Sequence, residues 1–173
     1  ASVTSKTRLL LLNNPHNPTG KVFSELELKQ IADLCISHDI IAVTDEIYEY
    51  IYYDGSQPVS LGSLPGMADR TVTISGLGKT YSLTGWRVGW AVAQVGISRL
   101  IRKVHDYLTV CAPAPFQAAG VTALNLPASY YNELRQKYAA CRAIFTEPLR
   151  RAGCQFMEPA GAYYIMANYS GIK

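Results

Sequence analysis

Cysteine is scarce and unpaired in this chain: Cys35, Cys111, Cys141 and Cys154 are the only four among 173 residues. That scatter builds neither a zinc site nor a disulfide framework, and it suits a reducing, cytoplasmic setting. Charge of one sign is also in short supply. The net charge is +3 and charged residues make up 17% of the chain, so there is no electrostatic case for nucleic acid or a membrane surface as partner. No apolar run approaches membrane-spanning length, and no signal peptide opens the chain. Internal repeats, low-complexity stretches and an initiator methionine are absent too. The chain starts on Ala1 and quickly enters a strand, the pattern expected of a piece of a longer protein. What is present is a hydrophobic content of 49%, enough for one domain with a real core or part of a larger one, and against disorder.

The run from Arg8 to Leu12 reads as a strand buried on both faces. It ends in Asn13-Asn14-Pro15-His16-Asn17-Pro18-Thr19-Gly20, a rigid, non-repetitive loop rich in side-chain amides. An Asn-Pro bond there is a candidate for the cis form. Ser24-Glu25-Leu26-Glu27 is a capping box. The helix it opens carries Leu28, Ile31, Ala32 and Cys35 on one face and ends near His38. Ile40 to Val43 is the next buried strand, so strand, helix and strand form a parallel unit. Thr44-Asp45-Glu46 then falls at the carboxyl end of the second strand, the edge where open α/β sheets bind ligands. Residues 57–70 read as loop with one helical turn, Thr71 to Ile74 as a third strand, and Arg87 to Ala93 as a fourth, placed antiparallel. Helices are expected at Ile97 to Leu108, Pro115 to Leu126 and Ser129 to Arg151, the last bent or ended by Pro148. Cys154 to Met157 and Tyr163 to Ala167 look like two strands of a new sheet.

The stretch from Thr73 to Trp90 carries the chemistry. Ser75, Gly76 and Gly78 form a small-residue loop that lets backbone approach a ligand. Lys79 offers an amine, and Arg87 a fixed fork of donors for phosphate or carboxylate. Together they suggest an anionic cofactor bearing an aldehyde. A solvated surface lysine is the plainer alternative. A phosphate-cradling P-loop is another, since Gly78-Lys79-Thr80 matches its tail, but the first glycine of that motif falls on Thr73 and the match fails.

Three segments bring a family into view. Asn17-Pro18-Thr19-Gly20, Thr44-Asp45-Glu46-Ile47-Tyr48, and Lys79-Thr80-Tyr81 with Thr84-Gly85-Trp86-Arg87-Val88-Gly89 resemble the class I/II aminotransferases, which are fold-type I enzymes dependent on pyridoxal 5'-phosphate. The resemblance covers essentially the whole chain. It implies an α/β fold: a mostly parallel sheet with flanking helices, the large domain of that fold type, plus the start of a small α+β domain. Residues 1–128 would be part of the large cofactor-binding domain, and 129–173 the connecting helix and beginning of the small C-terminal domain. Lys79 is then the Schiff-base lysine and proton shuttle, and Asp45 the partner of the pyridine nitrogen. Asn17 and Tyr48 would hydrogen-bond the ring's phenolic oxygen, while Arg87, with Ser75, would bind the phosphate. The substrates implied are an amino acid and a 2-oxo acid, and the assembly a homodimer.

The sequence departs from the family in two places. Gly76 stands three residues before the lysine, where many members carry a phosphate-binding hydroxyl, and Ser75 lies one residue earlier. The family's N-terminal segment, with a helix-terminal phosphate turn and a stacking aromatic, and its carboxylate-binding arginine are not in this chain. A central piece of the enzyme is therefore expected. Val110 to Pro115 resembles members acting on aromatic, methionine or glutamine-like amino acids, kynurenine aminotransferases included. The same cofactor and fold also serve β-lyases, decarboxylases and cyclising enzymes, and aminotransferase-like ligand-sensing domains occur in transcription regulators.

Overall fold

Leucine fills every position from 9 to 12, and the backbone there is a strand, β1 (Leu9–Asn13). A computed structural model describes residues 3–172. After the loop, α1 (Glu25–Ser37) starts at N-cap Ser24 with the reciprocal capping box in place, and it ends at His38. β2 (Ile41–Asp45) and β3 (Thr71–Gly76) follow, then β4 (Gly89–Val92). The sheet order is β1-β2-β3-β4; the first three strands run parallel, and β4 is antiparallel to β3. Two 3-10 turns, Leu61–Ser63 and Ala68–Arg70, occupy the long β2–β3 connection.

One core forms where α1 lies on the sheet, from Leu12, Leu28, Ala32, Cys35, Ile40, Ala42, Leu61 and Met67. Burying such side chains stabilises by about 1.5–3 kcal/mol each. Among the described residues the other sheet face is left open along β1, so β1 is not buried on both faces: Leu11 is 73% exposed and Leu9 55%. A strand with apolar residues on both faces needs cover on both, and only α1 supplies it here.

Three helices follow: α2 (Val95–Leu108), α3 (Ala114–Leu124) and α4 (Ala128–Arg151). Pro148 does not end α4, which continues to Arg151. α4 packs Leu134 with Tyr138 and Ala139 against Tyr48, Ile51, Tyr53 and Ala162, the second core. Arg142 fastens it further. Its guanidinium takes both oxygens of Asp54, at 2.7 and 3.0 Å, and donates to the Pro159 carbonyl. The new sheet is smaller than the alternation suggests: β5 (Gln155–Phe156) pairs antiparallel with β6 (Ala167–Asn168). Residues 163–166 are not strand, because their aromatic rings are drawn toward Tyr48 and α4.

Candidate functional site

Parallel register brings the loops together. Asn13 lies opposite Asp45, and Asp45 opposite Ile74, so β1, β2 and β3 release their loops from one edge. Asn13 ties two of those loops: its side chain accepts from the Asn17 backbone N–H at 2.6 Å and donates to the Asp45 carbonyl at 2.8 Å. Both Asn14-Pro15 and Asn17-Pro18 are cis. Asn17 itself is exposed. Asp45 is the last residue of β2, with its Oδ1 accepting the Ile47 N–H at 3.1 Å. Its other carboxylate oxygen has no protein donor among the described residues.

The Lys79 loop begins at Leu77, since Ser75 and Gly76 belong to β3 rather than to a loop. Glycine is required at the strand pair below it. A Cβ on Gly76 would sit 2.8 Å from the Val88 carbonyl oxygen, and one on Gly89 2.9 Å from that of Ser75. The loop is closed by Leu83 N–H to the Leu77 carbonyl and by the Thr84 hydroxyl to the Gly78 carbonyl at 2.9 Å. Two helices brace it. Phe116 of α3 stacks on Trp86, and Tyr130 of α4 donates to the Thr80 carbonyl at 2.8 Å. The Tyr81 and Tyr131 hydroxyls share a 2.8 Å hydrogen bond.

Arg87 does not begin a strand. It follows the 3-10 turn Thr84–Trp86 with φ +54°, in the left-handed region, and β4 starts at Gly89. Its guanidinium is exposed and donates to the Thr84 carbonyl at 3.2 Å, leaving most of the fork available. Ser75 is buried and its hydroxyl donates to Glu49 at 2.6 Å.

Lys79 is held among aromatic rings. Its Nζ is 5.8 Å from the centroid of Tyr48 and 5.5 Å from that of Tyr163, within the range of a cation–π contact. Tyr48 is buried, and its hydroxyl donates to that of Tyr164 at 3.1 Å; burial pushes its pKa well above the usual phenol value. The Lys79 pKa is raised, chiefly by the Tyr163 hydroxyl beside it and against the opposing effect of desolvation.

Lys79 and Tyr48 are thus brought into contact, and Asn17 is linked to Asp45 through Asn13. Arg87 closes the far side of the lysine loop, whereas the Ser75 hydroxyl is engaged by Glu49. The sequence reading missed Asn13 as the bridge. It also took Tyr163 for a strand residue and passed over Tyr138. The Tyr163-Tyr164 pair after Gly161 was the available sign, a dense aromatic step following a turn.

The chain matches the family model "Aminotransferase class I and II" over residues 1–172. It is 40% identical over 177 residues to kynurenine–oxoglutarate transaminase 1 of Homo sapiens, covering 98% of this chain and 42% of that protein. It is 41% identical over 176 residues to kynurenine–oxoglutarate transaminase of Dictyostelium discoideum, covering 99% of this chain and 40% of that one. N-succinyldiaminopimelate aminotransferase from Mycobacterium tuberculosis superposes with a TM-score of 0.94 at 35% identity, over 96% of this chain and 44% of that structure. The chain therefore spans less than half the length of these relatives. With sheet, lysine loop and overall match in agreement, this chain belongs to the aminotransferase class I and II family.

Proposed function

We propose that the protein containing this chain transfers an amino group from an amino acid to a 2-oxo acid, using pyridoxal 5'-phosphate. The observation that carries this reading is Lys79: a braced amine at the carboxyl edge of a parallel sheet, against Tyr48. The donor set fits such a cofactor. An amine suits its aldehyde, an exposed guanidinium its phosphate, and a carboxylate with one free oxygen its ring nitrogen. When bound, the cofactor supplies an electron sink for the carbon that loses its proton.

The residues do the rest. Lys79 would hold the cofactor through its aldehyde and, once released, its amine would accept and return the substrate proton. Asp45 keeps the ring nitrogen protonated. Asn17 would hydrogen-bond the ring's phenolic oxygen, Tyr48 would do so by turning its hydroxyl proton away from Tyr164, and Arg87 would clamp the phosphate. Ser75 could add a hydroxyl only by giving up Glu49. Residues 1–128 form part of the cofactor domain, with 129–173 leading into the small one. A homodimer in the cytoplasm completes the reading. Among the described residues no helix is long and apolar enough to cross a membrane.

Kynurenine and 2-oxoglutarate are the first substrate pair to try, given the relatives' names. Borohydride reduction of the full-length protein loaded with cofactor should fix the cofactor on Lys79, read by peptide mapping. Label on another lysine would overturn the assignment, and cofactor-dependent elimination without amino-group exchange would replace transamination with lyase chemistry.

A further inference from the structure

We propose that Tyr163 is a positioning residue for Lys79, holding the lysine's free ε-amino group in a tyrosine cage built from distant parts of the chain. The cage has rings from three places: Tyr48 after β2, Tyr138 on α4, and Tyr163 and Tyr164 before β6. Tyr163 stands edge-on to Tyr48 at 5.3 Å and 89°, and stacks on Tyr138 at 5.6 Å and 16°. Tyr164 stands edge-on to Tyr48 as well, at 5.8 Å. These four are the titratable side chains that face the Lys79 amine from the elements packed around it.

Tyr163 is aimed by its backbone. Ala162, immediately before it, is fully buried and has φ +55°, a left-handed conformation that residues with a side chain seldom adopt. Strain of that kind persists where surrounding structure over-determines it, and here it does. The Ala162 N–H donates to the Ile51 carbonyl at 2.8 Å, and the Tyr53 hydroxyl donates to the Ala162 carbonyl at 2.5 Å. Just upstream, Ala160 and Gly161 N–H groups both donate to the Gly20 carbonyl at 2.8 Å. A Cβ on Gly161 would meet Val22 at 2.7 Å and Pro15 at 2.8 Å. The segment is clamped on both sides, and the side chain it presents to Lys79 is Tyr163.

A lysine that releases a cofactor and then handles a proton gains from an amine that does not swing on its four-carbon stem. Ring face and hydroxyl of Tyr163 both favour the charged amine, in line with the raised Lys79 pKa. The value of this contact to catalysis rests on Lys79 being the cofactor's lysine. The contact itself does not, and can be tested without cofactor.

The experiment is competitive labelling of Lys79 against pH in the cofactor-free full-length protein, read by mass spectrometry. Tyr163→Phe keeps the ring and loses the hydroxyl. Its labelling midpoint should fall by about half a pH unit, making Lys79 about threefold more reactive below the midpoint. Tyr163→Leu loses both and should move further in the same direction. Tyr138→Phe removes a weaker and more distant influence on Lys79 and should move the midpoint less than Tyr163→Phe does. Unchanged midpoints in both Tyr163 variants would overturn the proposal, as would an equal shift in Tyr138→Phe. Should Tyr163→Leu fail to fold, Tyr163→Phe against wild type decides alone. Mapping of the reduced cofactor to a different lysine would sink the functional reading and leave this labelling result standing.

Discussion

Asp45 spends one carboxylate oxygen on the Ile47 N–H and keeps the other free. That division predicts the behaviour of Asp45→Asn. The amide oxygen can keep the turn, while the negative charge proposed to face the ring nitrogen is lost. Charge on that ring matters most as the substrate proton leaves, so the loss falls on the transition state more than on the bound ground state. In the full-length protein, turnover per bound cofactor should drop by roughly a hundredfold or more, while cofactor occupancy at saturation changes little. Loss of cofactor with normal turnover in what remains bound would make Asp45 a structural residue. Arg87 shows the same economy of position. Its left-handed backbone is unusual for a residue with a side chain, and the bend turns the chain from the lysine loop into β4.

The first turn of α1 offers a pH test at the level of one element. Glu27 is held down to about 2, first by the Lys21 ammonium 2.5 Å away, then by the Ser24 N–H and hydroxyl. A carboxyl held below its unfolded value binds fewer protons folded than unfolded, so its contribution is complete above about pH 4.5 and fades toward pH 2. Hydrogen-exchange protection of the Ser24 amide should therefore exceed that in Glu27→Gln at pH 6, with the gap closing through that window. A gap constant from pH 6 to pH 2 would show that the carboxylate is not what holds the cap. This helix start was legible in advance because a capping box is a local pattern, with both partners within four residues. The parallel unit was legible for a similar reason, since its apolar runs and helix face follow fixed periods. The extent of β3 and the start of β4 were not. Ser75 and Gly76 looked like a loop on composition, yet cross-strand pairing with Trp90 and Gly89 makes them strand. Tyr163 was hidden by distance: its role depends on contacts with residues far earlier in the chain, which no local period reports.

Across the molecule, apolar surface is left open on more than one side. Leu11 and Val92 are exposed on the sheet, and Leu100, Val104 and Leu108 along α2, at 59–76%. Surfaces of this kind mark places where further protein packs. The 173-residue chain by itself is therefore expected to self-associate and to lack transaminase activity with added cofactor. Sedimentation velocity and an assay across amino-acid and oxo-acid pairs check both; a monomer with saturable turnover abolished by Lys79→Ala would contradict the expectation. The two hydrogen bonds accepted by the Gly20 carbonyl carry a different consequence, one of timing. They join the first loop to Ala160 and Gly161, so most of the chain lies between the ends of that closure. During synthesis the lysine loop and the Asp45 turn leave the ribosome long before those donors exist. Lys79 can be in place while its aromatic enclosure is still being translated, and the ring that completes it is among the last residues of this chain to arrive.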